Sequence, residues 1–201
     1  MRQSIIFLLV FATGVLLAIF NVIPAALVES KASKWVLYVL LFCVGIQIGL
    51  SKGIFSAVRS YGFKIMMIPL ATTVGTFAGV ALVSFLLPHR TLIDCLTVGA
   101  GFAYYSLSSI LISEMHSSEL GTVALLSNIM REFSVFVLAP FMVRYFGKLA
   151  PICVGGASTM DSTLPVITKY SGPDYVVIAL FHGMIIDFSV PLWTGFLLSL
   201  P

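Results

Sequence analysis

Charged side chains are scarce in this sequence. Only 9% of its 201 residues are charged and 59% are hydrophobic, whereas about 25% of the residues in a typical soluble domain are charged. So small a polar surface could not cover so large an apolar volume in water, which excludes a soluble globular protein. The apolar runs are continuous and about twenty residues long, unlike the alternating strands of about ten residues in a membrane β-barrel. The sequence therefore predicts an all-α polytopic membrane protein.

Signals of several other functions are absent. The net charge of +3 is scattered, without the basic cluster typical of nucleic-acid binding. Cys43, Cys95 and Cys153 lie in or beside apolar runs without metal-ligand spacing, so we interpret them as packing residues. No H-E-x-x-H or G-x-S-x-G motif occurs, which argues against an intramembrane enzyme. We expect no enzymatic activity, no nucleic-acid partner, no metal and no cofactor beyond a coupling ion, H⁺ or Na⁺.

The N-terminal apolar run is too long for a cleavable signal peptide. It follows Arg2 and continues from Ile5 to about Phe20 and beyond Pro24, whereas the apolar core of a signal peptide has roughly 7–15 residues. No A-x-A-like cleavage site precedes a soluble domain. We expect a retained transmembrane helix.

Six apolar segments are long enough to cross a bilayer as helices. We predict helices over 4–28, 35–50, 65–87, 120–146 and 175–198, a further one beginning near 92, and a re-entrant or broken-helix segment near 151–170. The stretch 52–64 is amphipathic and is expected at the interface. Two pairs with G-x-x-x-G spacing, Gly45 with Gly49 and Gly75 with Gly79, predict close helix contacts. No linker divides the chain, so we expect a single transmembrane transporter domain over 1–201.

The loop cations weakly favour one orientation. Cytoplasmic loops carry an excess of Lys and Arg, and six cations in one set of loops stand against four on the other side, which predicts that both termini lie outside. The six are Lys31, Lys34, Arg90, Arg144, Lys148 and Lys169, and the four are Arg2, Lys52, Arg59 and Lys64.

A polar, glycine-rich stretch, PICVGGASTMDSTLP, interrupts the apolar sequence from Pro151 to Pro165. Main-chain N–H and C=O groups need partners in hydrocarbon, so irregular backbone persists at membrane depth only where protein or a wet cavity surrounds it. Secondary transporters hold ions and substrates at broken helices of this kind. We therefore predict that this stretch forms half of a transport site.

A second unusual stretch, GAGFAYYSLSS, extends from Gly99 to Ser109. Two interpretations remain open from the sequence. In one, a continuous helix packs closely through its glycines and places its tyrosines at an interface. In the other, a second broken helix faces the first.

Polar side chains share one face of the predicted helix 120–146. Asn128, Arg131 and Glu132 have i, i+3 and i+4 spacing, and a charge near the bilayer centre costs roughly 2.5–3.5 kcal/mol even on the mildest scale. Arg131 could form a structural salt bridge, or the face could line a wet, charged cavity. In the last helix, His182 could equally be a hydrogen-bonded core residue, whereas Asp187 at mid-helix is harder to explain structurally.

If these segments converge, they offer a mixed set of charges. The carboxylates of Glu132 and Asp161 suit ammonium groups or a coupling cation, while Arg131 and a helix N-terminus at the turn 155–158 suit a carboxylate. This combination matches a zwitterion with an additional positive charge, which is a basic amino acid. Hydroxyl groups complete the set: Ser106, Ser108, Ser158, Thr159 and Thr163.

Three motifs in this order closely resemble the LysO lysine-exporter family. They are G-F-x-x-Y-S-L-S (101–108), N-x-x-R-E (128–132) and G-A-S-T-M-D-S-T-L-P (156–165). The resemblance implies a bacterial inner-membrane exporter of L-lysine and its toxic analogues, with Glu132 and Asp161 as the functional pair. The full set of substrate- or ion-binding candidates is Glu132, Asp161, Arg131, Asn128, Ser158, Thr159, Thr163, Tyr105, Ser106 and Ser108, with His182 and Asp187 as secondary candidates.

The resemblance also implies a partner. Full-length members of the family carry a further N-terminal part before the region that matches Ile5, so the chain resembles the larger half of a split transporter. We expect a small companion membrane protein beside L-lysine and the lipid bilayer, and a homo-oligomer stays open. Alternatives are a cation-coupled transporter of another solute, an intramembrane enzyme using His182 or Glu132 as base, and a structural subunit.

Exporting a cation against an inside-negative potential needs a source of free energy. Each charge costs about 2.3 kcal/mol per 100 mV. Two neighbouring carboxylates can take up a cation on the return step, and like charges favour proton uptake by one of them. We therefore predict lysine/cation antiport, with protons favoured over sodium.

Overall fold

The computed structural model of the protein describes residues 62–200 and eight isolated positions nearer the N-terminus, namely Thr13, Leu17, Phe20, Trp35, Tyr38, Val39, Phe42 and Ile46. The chain divides into two compact units, Met1–Tyr38 and Val39–Pro201. In the first, the rings of Trp35 and Tyr38 meet edge to face, with centroids 6.1 Å apart. The first two predicted helices, Cys43, the Gly45–Gly49 pair and most of the stretch 52–64 lie outside the described residues. The prediction of a single domain stays a prediction.

The part of the chain from 62 to 200 is helical and contains no strand. Three 3₁₀ turns, Phe63–Met66, Gly156–Met160 and Pro173–Tyr175, accompany the α-helices. In chain order the helices are α1 (Met67–Ser84), α2 (Leu92–Gly99), α3 (Tyr105–Met115), α4 (Ser118–Phe146), α5 (Ala150–Gly155), α6 (Leu164–Ser171) and α7 (Val176–Leu198).

Three helical stretches in the described part are long and apolar enough to cross a membrane: Phe63–Ser84, Ser118–Phe146 and Pro173–Leu198. They confirm the helices predicted at 65–87, 120–146 and 175–198. Large apolar side chains on them face outward, such as Met130 at 71% and Phe133 at 63% exposure. A surface of this kind is costly in water and suited to lipid. The protein is therefore an all-α membrane protein, as the composition predicts.

Hydrogen bonds and an ion pair connect the starts of α2 and α4 at one end of the bundle. Thr91 and Asp94 form a capping box at the start of α2, with Asp94 N 3.0 Å from Thr91 Oγ1. His116 Nε2 lies 2.9 Å from Asp94 Oδ1, and Arg90 forms an ion pair with Glu119. Burial alone would raise the pKa of Asp94, but hydrogen bonds from Thr91 and His116 outweigh it and hold this pKa below its ordinary value.

The stretch 99–109 is a broken helix that faces the break within 151–165. Helix α2 ends at Gly99 and α3 begins at Tyr105, and between them Phe102 and Ala103 have φ of 43° and 69°. Non-glycine residues rarely adopt such angles unless their surroundings hold them there. The Phe102 carbonyl accepts a hydrogen bond from Ala157 N at 2.9 Å. The contact between the two breaks supports the second of the two interpretations.

Glycine is required where the two breaks meet. Gly156 has φ of 59°, and a Cβ built there would lie 2.2 Å from the Phe102 carbonyl oxygen. A side chain at this position would push the breaks apart. By contrast, a Cβ at Gly75 or Gly79 would meet nothing within 4 Å. The predicted close contact through Gly75 and Gly79 is therefore wrong within the described chain.

Candidate functional site

Asn128, on α4, fastens the break between α2 and α3. Its Oδ1 accepts a hydrogen bond from Ala103 N at 2.8 Å, and its Nδ2 donates to the carbonyls of Val98 at 3.3 Å and Ala124 at 2.8 Å. One amide side chain thereby supplies an acceptor to Ala103, two residues before α3, and a donor to the last turn of α2. Asn128 is 3% exposed. The geometry makes it a support for the backbone, and its predicted role in binding stays a prediction.

Arg131 stabilises the break between α5 and α6 in the same way. We call this break the second break, and the break between α2 and α3 the first break. Its Nε donates to Val154 O at 2.8 Å, and its Nη2 donates to Cys153 O and Thr76 Oγ1, both at 3.2 Å. The guanidinium carbon also lies 5.6 Å from the centre of the Phe102 ring. A cation at the C-terminal carbonyls of α5 is stabilised by the helix dipole.

Arg131 forms no salt bridge with a carboxylate in the described part of the chain, so the structural salt bridge that the sequence left open is not found there. The sequence suggests a carboxylate partner because opposite charges attract, but the free carbonyls of a broken helix provide an equally good acceptor. Arg131 therefore carries a positive charge at the site without neutralising Glu132 or Asp161.

Glu132 and Asp161 meet at the hydroxyl of Ser162. Ser162 Oγ forms a hydrogen bond with Glu132 Oε1 and lies 3.2 Å from Asp161 Oδ1, which also accepts from Ser162 N. The fold thus brings together the two acids that the sequence singled out. Ser162 was missed among the candidates, although its position next to Asp161 in the polar stretch was a usable signal.

This arrangement needs one more positive charge or proton than the side chains supply. A serine hydroxyl has a single proton and can donate to only one carboxylate at a time. The other carboxylate then faces an oxygen lone pair and a like charge, which is unfavourable in a low dielectric. Binding of a cation or a proton between the two acids relieves this conflict.

The acid pair lies on an open surface of the chain. Glu132 is half-buried, whereas Asp161, Ser162, Tyr105 and Ser106 are exposed. Tyr105 lies close enough to Glu132 and Asp161 to interact with both electrostatically. A cavity of about 260 Å³ lies elsewhere, bounded by α1, Arg131 and the last turn of α5, and its lining includes neither acid.

The predicted hydroxyl ligands other than Ser106 are buried and engaged in local hydrogen bonds. Ser108 donates to Tyr104 O at 2.9 Å, Ser158 to Gly155 O at 2.9 Å, and Thr163 to Ser158 O at 3.0 Å. Thr159 Oγ1 lies 2.9 Å from Ala179 O. Their protons are donated to main-chain carbonyls in and beside the breaks, and their role in binding stays a prediction.

The turn 155–158 does not present all of the free N–H groups that the sequence suggests. The N–H of Ala157 is donated to Phe102 O, so the expected carboxylate site at this turn is wrong for that group. The N–H groups of Tyr105, Ser106 and Leu107 at the start of α3, by contrast, have no acceptor among the described residues. The free helix N-terminus near the acids therefore belongs to α3.

His182 is a hydrogen-bonded core residue. It is fully buried, with Nε2 2.9 Å from Thr72 Oγ1 and Nδ1 3.3 Å from Thr159 Oγ1. It therefore links α7 to α1 and to the second break. The next residue, Gly183, packs so closely on the break that an added Cβ would lie 2.8 Å from Met160 N.

Asp187 lies one turn further along α7 than Gly183, on the same face. It is 5% exposed, and its side chain forms no hydrogen bond with any described residue. It interacts electrostatically with Asp161 and with the Tyr104 phenol. Within the described ranges, no group of three or more His, Cys, Asp or Glu side chains could hold a metal ion.

Comparisons with known proteins place these features in context. A family model described as lysine exporter LysO matches residues 8–198. The chain is 32% identical over 169 residues to the Escherichia coli (strain K12) protein "Lysine exporter LysO", covering 83% of this chain and 55% of that protein. It is 29% identical over 172 residues to a Haemophilus influenzae (strain Rd) protein named "Putative lysine exporter", covering 86% and 87% respectively. The chain thus spans about half the length of the Escherichia coli relative. No solved structure matches it.

Proposed function

The chain belongs to the lysine exporter LysO family, and from this premise we propose that it exports L-lysine and lysine analogues across the bacterial cytoplasmic membrane in exchange for a cation. The observation that carries the proposal is the pair of acids at one serine hydroxyl, at the junction of two broken helices. The names of both relatives describe them as lysine exporters, one of them as putative. The acid pair explains how a chain of this kind could hold it.

The site suits the charges of lysine. Glu132 and Asp161 can each accept from an ammonium group, and an ammonium with three donors can bridge both carboxylates as one hydroxyl cannot. The unpaired N–H groups at the start of α3, beside Tyr105 and Ser106, suit the substrate carboxylate. A zwitterion with an extra positive charge satisfies both features together.

Coupling to a cation is expected because the site must return to the cytoplasmic side without lysine. Without lysine, two carboxylates share one hydroxyl proton and repel each other. Proton uptake at the site offsets part of this repulsion and lets the site reorient with one uncompensated negative charge fewer. Proton uptake on return and lysine outward also offsets the cost of moving one positive charge, about 2.3 kcal/mol per 100 mV.

A companion membrane protein completes the proposal. Polar side chains such as Asp161 and Ser162 are exposed on this chain, and a charge facing lipid at depth is costly. We expect the exposed acid pair to be covered by a small membrane protein. Mass measurement of the complex purified through this chain tests it, and a complex made only of identical copies would favour a homo-oligomer instead. We still expect both chain termini to lie on the outer side of the membrane.

The experiment that tests the export function compares acid variants in cells. Glu132→Gln and Asp161→Asn should each abolish lysine export while the protein still inserts in the membrane. Glu114→Gln is the matched control, because Glu114 is a half-buried acid on α3 outside the acid pair. Wild-type export by either acid variant at matched expression would refute the assignment. Release of chemically modified lysine would favour an intramembrane enzyme.

A further inference from the structure

Asp187 is a buried acid with no role in the mechanism described so far. It lies near the middle of the membrane-spanning stretch Pro173–Leu198 and is 95% buried, with a carboxyl group that makes no hydrogen bond to the described residues. Polar groups in such surroundings are normally paired. An unpaired one at the centre of a transporter is a candidate functional group.

The position of Asp187 connects it to the acid pair. Gly183, one turn earlier on the same face, contacts the second break at Thr159 and Met160. The break ends at Asp161, which is the acid that interacts with Asp187, while Tyr104 from the first break interacts with both. Asp187 is thus a buried acid that interacts with Asp161, whereas Glu132 meets Asp161 at the exposed Ser162 hydroxyl.

Pro191 removes the usual helical hydrogen-bond partner of the Asp187 main-chain carbonyl oxygen. Proline has no N–H, so the carbonyl of Asp187, four residues earlier, lacks the helical donor that it would otherwise have. A carbonyl without its helical donor can accept a hydrogen bond from a water molecule beside the carboxyl group, and such a water could carry the proton to or from that group.

No described cation compensates a negative charge at Asp187. The titratable groups close enough to interact with it are Asp161 and Tyr104, neither of which is positive. Arg131 is engaged with the carbonyls of α5, and His182 with two threonines. A buried carboxylate in this position neutralises itself by binding a proton.

We infer that Asp187, buried beside the transport site, binds the coupling proton without touching the substrate, while Glu132 and Asp161 face the substrate. This inference rests on the proposed lysine/cation antiport and names the group that carries the exchanged ion. When lysine leaves outward, Asp187 takes up a proton from the outer side, and when lysine binds from the cytoplasm the proton is released inward. One O–H bond forms and the same bond later breaks.

A proton fits this location better than sodium. A sodium site needs several oxygen ligands, and Ile186 and Val190, which flank Asp187 on its own helix, have buried apolar side chains. A proton needs only the carboxyl group. Sodium dependence in place of pH dependence would overturn the inference.

The test separates coupling from substrate exchange in proteoliposomes containing the complex purified through this chain. Asp187→Asn, which removes the titrating group and keeps the shape, should retain lysine/lysine exchange within about threefold of wild type. It should lose the stimulation of net lysine efflux by an inward proton gradient. Asp161→Asn should lose both activities.

Each outcome has one meaning. If wild type transports no lysine, the proposed function fails. If wild-type efflux responds to the proton gradient and Asp187→Asn responds equally, the present inference alone is overturned. If Asp187→Asn does not fold, Asp187→Glu, which keeps a titrating group, should shift the pH of half-maximal efflux, and an unchanged profile would overturn the inference.

Discussion

Replacing Asn128 by alanine should weaken the fold and the site together, because its amide serves both ends of one broken helix. The variant removes the acceptor of Ala103 N and the donor to Val98 O. Ala103 is 3% exposed, so water cannot easily replace the lost partner. A buried group left unsatisfied costs roughly 1–3 kcal/mol. Val98 O keeps a donor in Gly101 N at 3.2 Å, so the one unsatisfied group predicts a loss of about 1–3 kcal/mol in the free energy of unfolding.

Two further variants sharpen this prediction. Asn128→Asp keeps an oxygen for Ala103 N and loses the donors to Val98 and Ala124, so it should be less stable than wild type and retain the α3 contact. Ser127→Ala, at an exposed neighbouring position, is the control and should change little.

The assay is chemical or thermal unfolding in detergent or lipid nanodiscs, with lysine export measured in parallel. We expect Asn128→Ala to lose export in proportion to its folded fraction. Wild-type stability of Asn128→Ala would refute the view that this side chain holds the break, and a stable but inactive variant would favour Asn128 as a direct ligand.

Three further substitutions test the rest of the geometry. Ser162→Ala should slow lysine export about tenfold, since a hydrogen bond to a charged group contributes roughly 1.5–3 kcal/mol. Ser162→Thr should restore part of the rate. An unchanged rate for Ser162→Ala in the same transport assay would show that the hydroxyl is not needed for export. Arg131→Ala should injure folding as well as transport because the Cys153 and Val154 carbonyls lose their donor, and a correctly inserted, stable variant with a mild defect would contradict this. Gly156→Ala should destabilise more than Gly147→Ala, since both have positive φ but only Gly156 meets the Phe102 carbonyl; equal unfolding temperatures would mean that backbone strain alone matters.

The long helices could be predicted from the sequence because apolar length is a local property. The stretches 63–84, 118–146 and 173–198 each show it without reference to any other part of the chain. The break at 151–165 could be predicted for the same reason, since glycines and hydroxyls interrupt a continuous apolar run. The acid pair came from charge at membrane depth together with the family resemblance.

Partners in space could not be predicted in this way. The stretch 99–109 fits a packed helix or a broken one equally well, and the contact of Ala157 with Phe102 distinguishes them. The partner of Arg131 is the end of a helix, which is visible only once that helix is known to end. The buried hydroxyls looked like ligands because their own carbonyl acceptors, such as Gly155 O for Ser158, are not evident from residue types.

The proposed function requires that lysine movement through this chain is coupled to a counter-moving cation. The most direct measurement is efflux of labelled lysine from proteoliposomes holding the complex purified through this chain, with the membrane potential clamped and pH and sodium gradients imposed in both directions. We expect an inward proton gradient to accelerate efflux and its reversal to slow efflux, with little effect of sodium. Efflux that is the same under every gradient would contradict antiport and identify a uniporter.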